Sequence, residues 1–500
     1  MKFSGSQSMR EMDRIAIEEL GIPGETLMLR AATGAFAQCR KMLGEHGRVL
    51  VLCGSGNNGG DGIGIAALLL ESGYYVNCIM VGDETKLSAD SRVMLDRLLQ
   101  AGGSLSSYEG PQVLDEPWDL VVDALFGTGL SRDIGGTYAE LIKALNRKGH
   151  RVLACDIASG ICADTGAVLG CAVQAEVTVT FNLPKTGQLL PPGTEYTGDL
   201  IVHDIGIPES VQDRVSMDGE LVTEEMVKSW LPGMKRESHK GDFGKLLLLC
   251  GSRGYTGAAA LAAKSALRTG AGLVYLGVPE PVYPILASKL DEPVVFPLPS
   301  NGNGRFSRSG IPDMLERLPD MDACLLGPGI GQGYDTEEVV LSLIGQMTCP
   351  LVLDADGINV VSGHIDVLDK AQGPVVLTPH AGEFRRLGGD LTRDRISAAK
   401  DMAEKTGAVV LLKGYRTVIA GPEGEIYVNS TGNPGMATGG SGDVLSGILT
   451  CLLGQGMEPV RAAAAAAWIH GAAGDLAARR LGRRSMLPSD MIAALSEILG

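Results

Sequence analysis

Aromatic side chains make up only 4% of this 500-residue chain. That leaves few rings on which successive bases could stack, which disfavours a single-strand nucleic-acid binder. Positive charge is also short: 43 Lys and Arg stand against 59 Asp and Glu, a net charge of −16, whereas a nucleic-acid surface normally carries a basic stripe. The one dense basic run, Arg479-Arg480-Leu481-Gly482-Arg483-Arg484, reads as a solvated helix end, where cations suit the helix dipole. No C-x-x-C pair occurs among the ten cysteines, and Cys and His are not clustered at zinc spacing. Cys53, Cys155, Cys250 and Cys324 lie inside apolar runs and read as small buried hydrophobes. A chain of this size needs no disulfide framework, so a reducing compartment fits. The opening MKFSGSQSMREMDR lacks an apolar signal core. No run approaches the ~20 apolar residues of a membrane span, and the apolar window 444–457 is broken by glycine. These absences predict a cytoplasmic protein with neither a nucleic-acid nor a membrane partner.

What is present is glycine, 69 residues of it, clustered after apolar runs. That pattern suits an α/β protein whose loops approach ligands closely, and 500 residues suit two domains better than one core. From about 48 to 205, β-rich runs at 48–53, 76–81, 119–123, 151–155 and 176–181 alternate with amphipathic stretches, the signature of βαβ units and a mostly parallel sheet. The segment 9–43 reads as helical, with Met9, Met12, Ile15 and Ile17 on a loosely apolar face. The pattern lapses over 206–240, which places a boundary near 217–222, with a short helix at 223–230 opening the second domain. Beyond 243, strands are predicted at 244–250, 272–277, 321–326, 350–354, 374–378, 408–412, 417–420 and 425–428, the last two forming a hairpin around Gly421–Gly424. Helices are predicted at 257–269, 394–406, 441–454, 459–479 and 489–499, with the alanine run 462–467 suited to close packing. The fold class is therefore α/β: two three-layer α/β/α domains, 1–217 and 222–500.

In the N-terminal half, Val51-Leu52-Cys53 runs straight into Gly54-Ser55-Gly56-Asn57-Asn58-Gly59-Gly60-Asp61-Gly62. Glycines let backbone approach a phosphate, and the helix start behind them offers N–H donors. Asp123 ends a predicted strand ahead of Gly127-Thr128-Gly129-Leu130-Ser131-Arg132-Asp133, and Asp156 ends the next ahead of Ser159-Gly160. Ligands of doubly wound sheets sit beyond the carboxyl ends of the strands, so the three loops can converge on one crevice. An aspartate so placed can instead merely cap its helix; two acids beside an Asn-Asn-Gly-Gly-Asp loop favour a site.

GSGNNGGDG, DALFGTG and DIASG, in this order and spacing, closely resemble the NAD(P)H-hydrate epimerases, or YjeF N-terminal domains, over about residues 8–210. Asp13-Arg14, Gly21-Ile22-Pro23-Gly24 and Leu27-Met28 also fit, whereas Leu29-Arg30 stands where the family usually has Glu-Asn. The resemblance implies a Rossmann-like sheet in which Asn57 to Asp61 (with Gly59 and Gly60) and Gly127 to Asp133 hold the hydrated dinucleotide. It implies that Asn58, Asp123 and Ser159 ligate potassium, a hard cation suited to oxygen ligands, and that Asp156 contacts the reacting ring. Epimerisation at the hydrated carbon needs proton transfer as the C–O bond opens and recloses, a role a carboxylate can fill.

The C-terminal half carries Asn433-Pro434-Gly435-Met436-Ala437-Thr438-Gly439-Gly440-Ser441-Gly442-Asp443. Backbone N–H groups of Gly439 to Gly442 can form an anion nest at a helix start, a seat for a nucleotide phosphate, and Asp443 behind it can reach a substrate hydroxyl. Further loops at predicted strand ends are Gly327-Pro328-Gly329-Ile330-Gly331, Asp354-Ala355-Asp356, Thr378-Pro379-His380-Ala381-Gly382-Glu383 and Lys413-Gly414-Tyr415-Arg416-Thr417. His380, one of seven histidines, is placed there for a ligand contact.

This half resembles the ribokinase-like fold and, within it, the ADP/ATP-dependent NAD(P)H-hydrate dehydratases. The resemblance runs through HKGDFGKLLLLCGS, YTGAAALAA, RTGAGLV, GPGIG, DADGIN, TPHAGEF, LKG and NPGMATGGSGDVLSG over about 239–450. It implies that Lys413 to Thr417 and Asn433 to Gly442 bind ADP, with magnesium on the nucleotide, and that Ala258, Gly329, His380 and Asp443 contact the hydrated dinucleotide. The two resemblances together imply a homo-oligomeric repair enzyme that interconverts the S and R hydrates of NADH and NADPH and dehydrates the S form at the expense of ADP. An alternative is a ribokinase-superfamily small-molecule kinase fused to a ligand-binding Rossmann-like domain; the TPHAGEF loop and the NNGGD half argue against it. A non-enzymatic binding module is disfavoured because Asn58, Asp61, Asp123, Asp156 and Ser159 are all present and the acidic charge disfavours RNA.

Overall fold

A computed structural model describes residues 1–500. The chain divides into two compact units, Met1–Gly219 and Glu220–Gly500. No helix is long and apolar enough to cross a membrane.

The first unit is built on a 7-stranded sheet: β1 (Arg48–Cys53), β2 (Tyr75–Met80), β3 (Leu105–Ser107), β4 (Leu120–Ala124), β5 (Val152–Cys155), β6 (Val177–Phe181) and β7 (Asp199–His203). The spatial order is β3-β2-β1-β4-β5-β6-β7 and every pairing is parallel. Its helices are α1 (Ser6–Arg14), α2 (Gly24–Leu43), α3 (Asn57–Glu71), α4 (Ala89–Gln100) and α5 (Gly136–Lys148). Val49, Val51 and Cys53 pack with residues of α2, α3 and α4, while Leu50 and Leu52 pack with Leu141 and Ile142 of α5. Alternate residues of a strand face opposite ways, so helices cover both faces. A strand covered on both faces reads as one unbroken apolar run, which is why β1, β4, β5 and β6 fall within a residue of their predicted bounds.

Two features differ from the sequence expectation. The helix expected over 9–43 is broken: α1 runs into a widened π turn over Ile15–Glu19, and α2 starts at Gly24 behind Pro23, where the proline ring cannot continue a preceding helix. Strands β3 and β7 were not expected. They are the sheet's two edges and only partly buried, so they lack an apolar run.

The second unit repeats the plan with β8 (Gly219–Leu221), β9 (Lys245–Leu249), β10 (Leu273–Pro279), β11 (Val294–Leu298), β12 (Ala323–Leu326), β13 (Leu351–Leu353), β14 (Val375–Leu377), β15 (Val409–Leu412), β16 (Val418–Ala420) and β17 (Ile426–Val428). The order is β8-β17-β16-β15-β14-β13-β12-β9-β10-β11. Pairing is parallel from β15 through β11, and the expected hairpin β16–β17 is antiparallel. Strands β8 and β11 were not expected; β11 is an edge interrupted by Pro297. The helices that matter below are α6 (Thr256–Arg268), α7 (Tyr334–Ile344), α8 (Asp356–Val361), α9 (Ala381–Arg386), α10 (Arg395–Thr406), α11 (Ser441–Gly454), α12 (Pro459–Leu481) and α13 (Pro488–Ile498). Leu246 and Leu248 of β9 join Ala262 and Ala266 of α6, Val444 and Ile448 of α11 and the alanines 462–467 of α12 in one core. Small side chains let these helices approach closely, as the alanine run suggested. In each unit the strand order reverses once, between β1 and β4 and between β9 and β12, and such reversals open a crevice at the carboxyl ends of the strands.

Candidate active sites

In the first unit, strand β1 ends at Cys53 and α3 begins at Asn57. The turn between them is tight: a Cβ on Gly59 would lie 1.8 Å from the Gly54 carbonyl oxygen, and one on Gly54 would lie 1.9 Å from that of Leu125. Only glycine lets the two loops meet. Above them is a cavity of about 1320 Å³, walled by Asn57, Asn58, Asp61, the loop Gly127–Asp133 and Asp156. Gly59 and Gly60 are buried behind this wall, so their part is close packing. Arg30, the departure from the family pattern, donates from Nη1 to the carbonyl of Ile205 at 3.0 Å, and Ile205 is itself a wall residue.

Asp123 is fully buried. It accepts hydrogen bonds from the Ser159 amide at 2.8 Å and hydroxyl at 2.7 Å, yet no Lys or Arg pairs with it. Burial pushes its carboxyl up to about 6 against the pull of these bonds. Both polar atoms of the buried Asn58 amide lack any hydrogen-bond partner, a condition that asks for a ligand. An uncompensated carboxylate, an orphan amide oxygen and a hydroxyl are a donor set that fits a monovalent hard cation. A Cβ on Gly127 would lie 3.2 Å from Asn58 Cβ and 3.5 Å from Asp156 Oδ2, so Asn58 and Asp156 flank one loop.

Asp156 follows β5 with a left-handed backbone, φ 65°. Its carboxylate forms an ion pair with Lys185 Nζ at 2.5 Å, and the Lys185 side chain is 1% exposed. The same ammonium donates to Thr180 Oγ1 at 2.7 Å and to the Phe181 carbonyl at 3.0 Å, so its three protons are all engaged. Asp13, on α1, also lines the cavity. Burial pushes its carboxyl up to about 6; the Lys185 charge opposes this and the Asp156 charge adds to it. Burial, aided by the charges of Asp156 and Asp13, drives Asp61 well above the usual carboxylate range. Sequence reasoning met Asp13 only as part of a motif and passed over Lys185. Lys185 follows β6 by four residues, so the strand-end rule applied to β1, β4 and β5 would have found it.

In the second unit, Asp354 at the end of β13 is the hub. Oδ1 accepts from Lys413 Nζ at 2.8 Å and from the Thr378 hydroxyl at 2.8 Å, and Oδ2 accepts from the Ser446 hydroxyl at 2.7 Å. Burial pulls this carboxyl up, but the Lys413 charge and these bonds outweigh it and hold it below the ordinary value. Lys413 also stands 4.0 Å from Glu383 Oε2. A Cβ on Gly442 would lie 3.5 Å from Lys413 Nζ and 3.8 Å from Asp354 Oδ2, so the glycine-rich turn sits on this pair. Asp443 follows in the first turn of α11. It has no ion-pair partner; burial first, then the Asp354 charge, push its carboxyl up to about 7, with Lys413 opposing.

The other expected residues distribute unevenly. Gly440 opens α11 in the left-handed region, φ 97°, and one N–H of the expected nest, that of Ser441, turns back to the Thr438 carbonyl at 3.3 Å. The Ser441 hydroxyl lies 3.3 Å from His470 Nε2, and burial drives that imidazole down to about 4, so it is neutral at pH 7. Asn433 anchors its loop, donating to Asp475 at 2.9 Å and accepting from Gly435 N–H at 3.0 Å; Pro434 to Met436 form a turn whose Met436 packs near Gly474 of α12, and Ala437 leads on to Thr438. Lys413 turns its ammonium inward, whereas Gly414, Tyr415, Arg416 and Thr417 make an outer turn closed by Thr417 Oγ1 to the Gly414 carbonyl at 3.1 Å. Gly329 and Ala258 come together: a Cβ on Gly329 would lie 3.1 Å from that of Ala258. His380 caps α9, Nδ1 accepting from the Gly382 and Glu383 amides, and its Nε2 stands 3.4 Å from Glu383 Oε1. Asp354 and Glu383 lie within the DADGIN and TPHAGEF motifs, and only the fold brings both to Lys413.

Comparison with known proteins gives two family matches. Residues 246–497 match the NAD(P)H-hydrate dehydratase model, and residues 24–187 match the YjeF-related protein N-terminus model. A bifunctional NAD(P)H-hydrate repair enzyme of Moorella thermoacetica is 42% identical over 98% of this chain and 95% of that protein. Among solved structures, a ribokinase-like superfamily protein of Enterococcus faecalis aligns with a TM-score of 0.50 at 26% identity, covering 56% of this chain and 95% of that one. The ADP/ATP-dependent NAD(P)H-hydrate dehydratase of Bacillus subtilis, co-crystallised with ATP and Mg2+, aligns at 0.49 with 32% identity over 57% of this chain and 98% of that one. The near-full-length identity and the paired models agree with the two sites built above, and the chain belongs to the bifunctional NAD(P)H-hydrate repair enzymes.

Proposed function

We propose that the first unit interconverts the S and R hydrates of NADH and NADPH, and that the second dehydrates the S form using ADP as phosphoryl donor, in the cytoplasm. The observation that carries this reading is Asp443: a carboxyl raised to about 7 at a glycine-rich helix start, beside a buried Asp354–Lys413 pair. A general base works best when its pKa lies near the working pH.

Hydroxide is a poor leaving group and phosphate a good one. Asp443 takes the proton of the ring hydroxyl as its oxygen bonds to the terminal phosphoryl of ADP and AMP departs. The ring nitrogen then expels phosphate, and loss of a proton from the adjacent carbon restores the dihydropyridine. N–H groups at the start of α11 face the transferring phosphoryl, the electrostatic stabilisation this chemistry depends on. Magnesium on the nucleotide would neutralise phosphate charge. In the first unit, Asn58, Asp123 and Ser159 would hold potassium, whose charge would compensate Asp123. Asn57, Asp61 and the loop Gly127–Asp133 would enclose the dinucleotide, with Asp156 at the reacting carbon.

The test incubates the protein with mixed hydrate epimers and ADP, following reduced-nicotinamide absorbance, AMP and phosphate. The expected result is one AMP and one phosphate per NADH recovered. Recovery without nucleotide consumption would sink the phosphorylation route.

A further inference from the structure

We propose that Asp13 is the second proton-transfer residue of the first unit, serving the ring face that Asp156 does not. This inference rests on the epimerase reading. Interconversion removes a hydroxyl from one face of a carbon and returns it to the other, so a proton must be given on one face and taken on the other. One carboxyl held in one place does not serve both. Lys185 is no donor, because its three N–H groups are engaged by Asp156, Thr180 and the Phe181 carbonyl. Asp13 reaches the same cavity from α1, an element separate from the strand end that carries Asp156. Its carboxyl makes no hydrogen bond or ion pair with any protein group, unlike that of Asp156, which is fixed in its pair. The ionisable groups around it are Asp61, Asp156, Lys185 and the neighbouring wall residue Arg10. Burial lifts Asp13 only to about 6, where it can both give and recover a proton near neutral pH, while Asp61 is driven further up.

Protonated Asp13 gives its proton to the ring hydroxyl; the C–O bond breaks with its electron pair on oxygen, water departs, and the ring-nitrogen lone pair forms the C=N bond. Water adds to the opposite face and gives a proton to the Asp156 carboxylate. A proton passes back from Asp156 to Asp13, and the reverse reaction uses the two groups in exchanged roles.

The experiment uses the full chain with single hydrate epimers of NADH, in potassium buffer without ADP, measuring interconversion in both directions against pH and incorporation of oxygen from oxygen-18 water. In the parent chain we expect interconversion with incorporation of label and a rate profile with two pH limbs. Asp13→Asn should slow both directions at least about 100-fold, the usual scale for a positioned acid–base, and remove one limb. Asp13→Glu should restore much of the rate, and ADP-dependent dehydration of the S form should persist in both variants. The proposal is overturned if Asp13→Asn stays within about threefold of the parent, or if it is slow with both limbs intact and unrescued by glutamate, which would mark a packing role. It is equally overturned if no label is incorporated. If the parent chain itself does not interconvert the epimers, it is the epimerase reading that falls.

Discussion

Each unit pairs a lysine from a late loop with an aspartate at a strand end, but the pairs have different standing. In the second unit the paired acid, Asp354, is locked by Lys413, Thr378 and Ser446 and held ionised, and the acid assigned to chemistry is its unpaired neighbour Asp443. In the first unit the paired acid, Asp156, is the one expected to meet substrate, while Asp13, Asp61 and Asp123 stand without a cationic partner and are all raised. The contrast teaches that standing at a strand end does not decide what an aspartate does. Its surroundings do: Lys413, Thr378 and Ser446 hold Asp354 ionised, whereas burial with no cationic side chain paired to it raises Asp443 toward neutral pH.

The strongest way to break this contrast is Asp443→Asn. Nucleotide-dependent dehydration should fall about 10³-fold, within the range for a lost general base, while epimer interconversion is unchanged; an assay of both activities on one preparation reads the pair of outcomes. In the parent, dehydration should rise as pH increases through about 7, because Asp443 must lose its proton before it can accept one.

Removing the lysines compares the pairs directly. Lys413→Met leaves Asp354 buried and uncompensated and should destabilise the second unit by about 3–5 kcal/mol, the scale for one partner lost from a buried pair. Lys185→Met should cost the first unit less, about 1–2 kcal/mol, because Asp156 borders a large cavity that water can enter. Urea unfolding of the two variants gives the ranking; equal losses would show that the cavity does not solvate Asp156.

The smallest effect sharpens the same point. The Asp443 carboxyl is raised in the folded state above its ordinary 3.8 to about 7, so the folded unit holds a proton that the unfolded chain releases. Its contribution to stability is present below about pH 4 and is lost as pH rises through 7. At pH 8, Asp443→Asn should therefore be more stable than the parent by on the order of 2 kcal/mol, seen as a rise in Tm of several degrees that disappears at pH 4.

Much of this was legible in the sequence, for identifiable reasons. Central strands such as β4 and β9 are covered on both faces, so their apolar runs are unbroken, and the glycine clusters behind them mark where backbone must meet backbone, as at Gly54 and Gly59. The edge strands β3, β7 and β11 were invisible because one-sided burial leaves a mixed pattern. Asp13 and Lys185 escaped because nothing local marks them; only the winding of the sheet brings α1 and the loop after β6 to the end of β5. His380 shows the converse. Its place in a loop suggested a ligand contact, but position cannot reveal that one ring nitrogen is already engaged in capping a helix.

The backbone at the two strand ends has a further consequence for anyone seeking a more heat-resistant form of this enzyme. Asp156 sits at φ 65° and Ala355, between Asp354 and Asp356, at φ 50° and ψ −113°, a region that side chains other than glycine's occupy at a cost of about 1–3 kcal/mol. Glycine at 355 would relieve that strain, and its wider backbone freedom would loosen the turn that follows Asp354, whose carboxylate meets Lys413. Stability could be raised there only by loosening the geometry that sets the charge of the second site, so this position marks where durability and turnover are in direct competition.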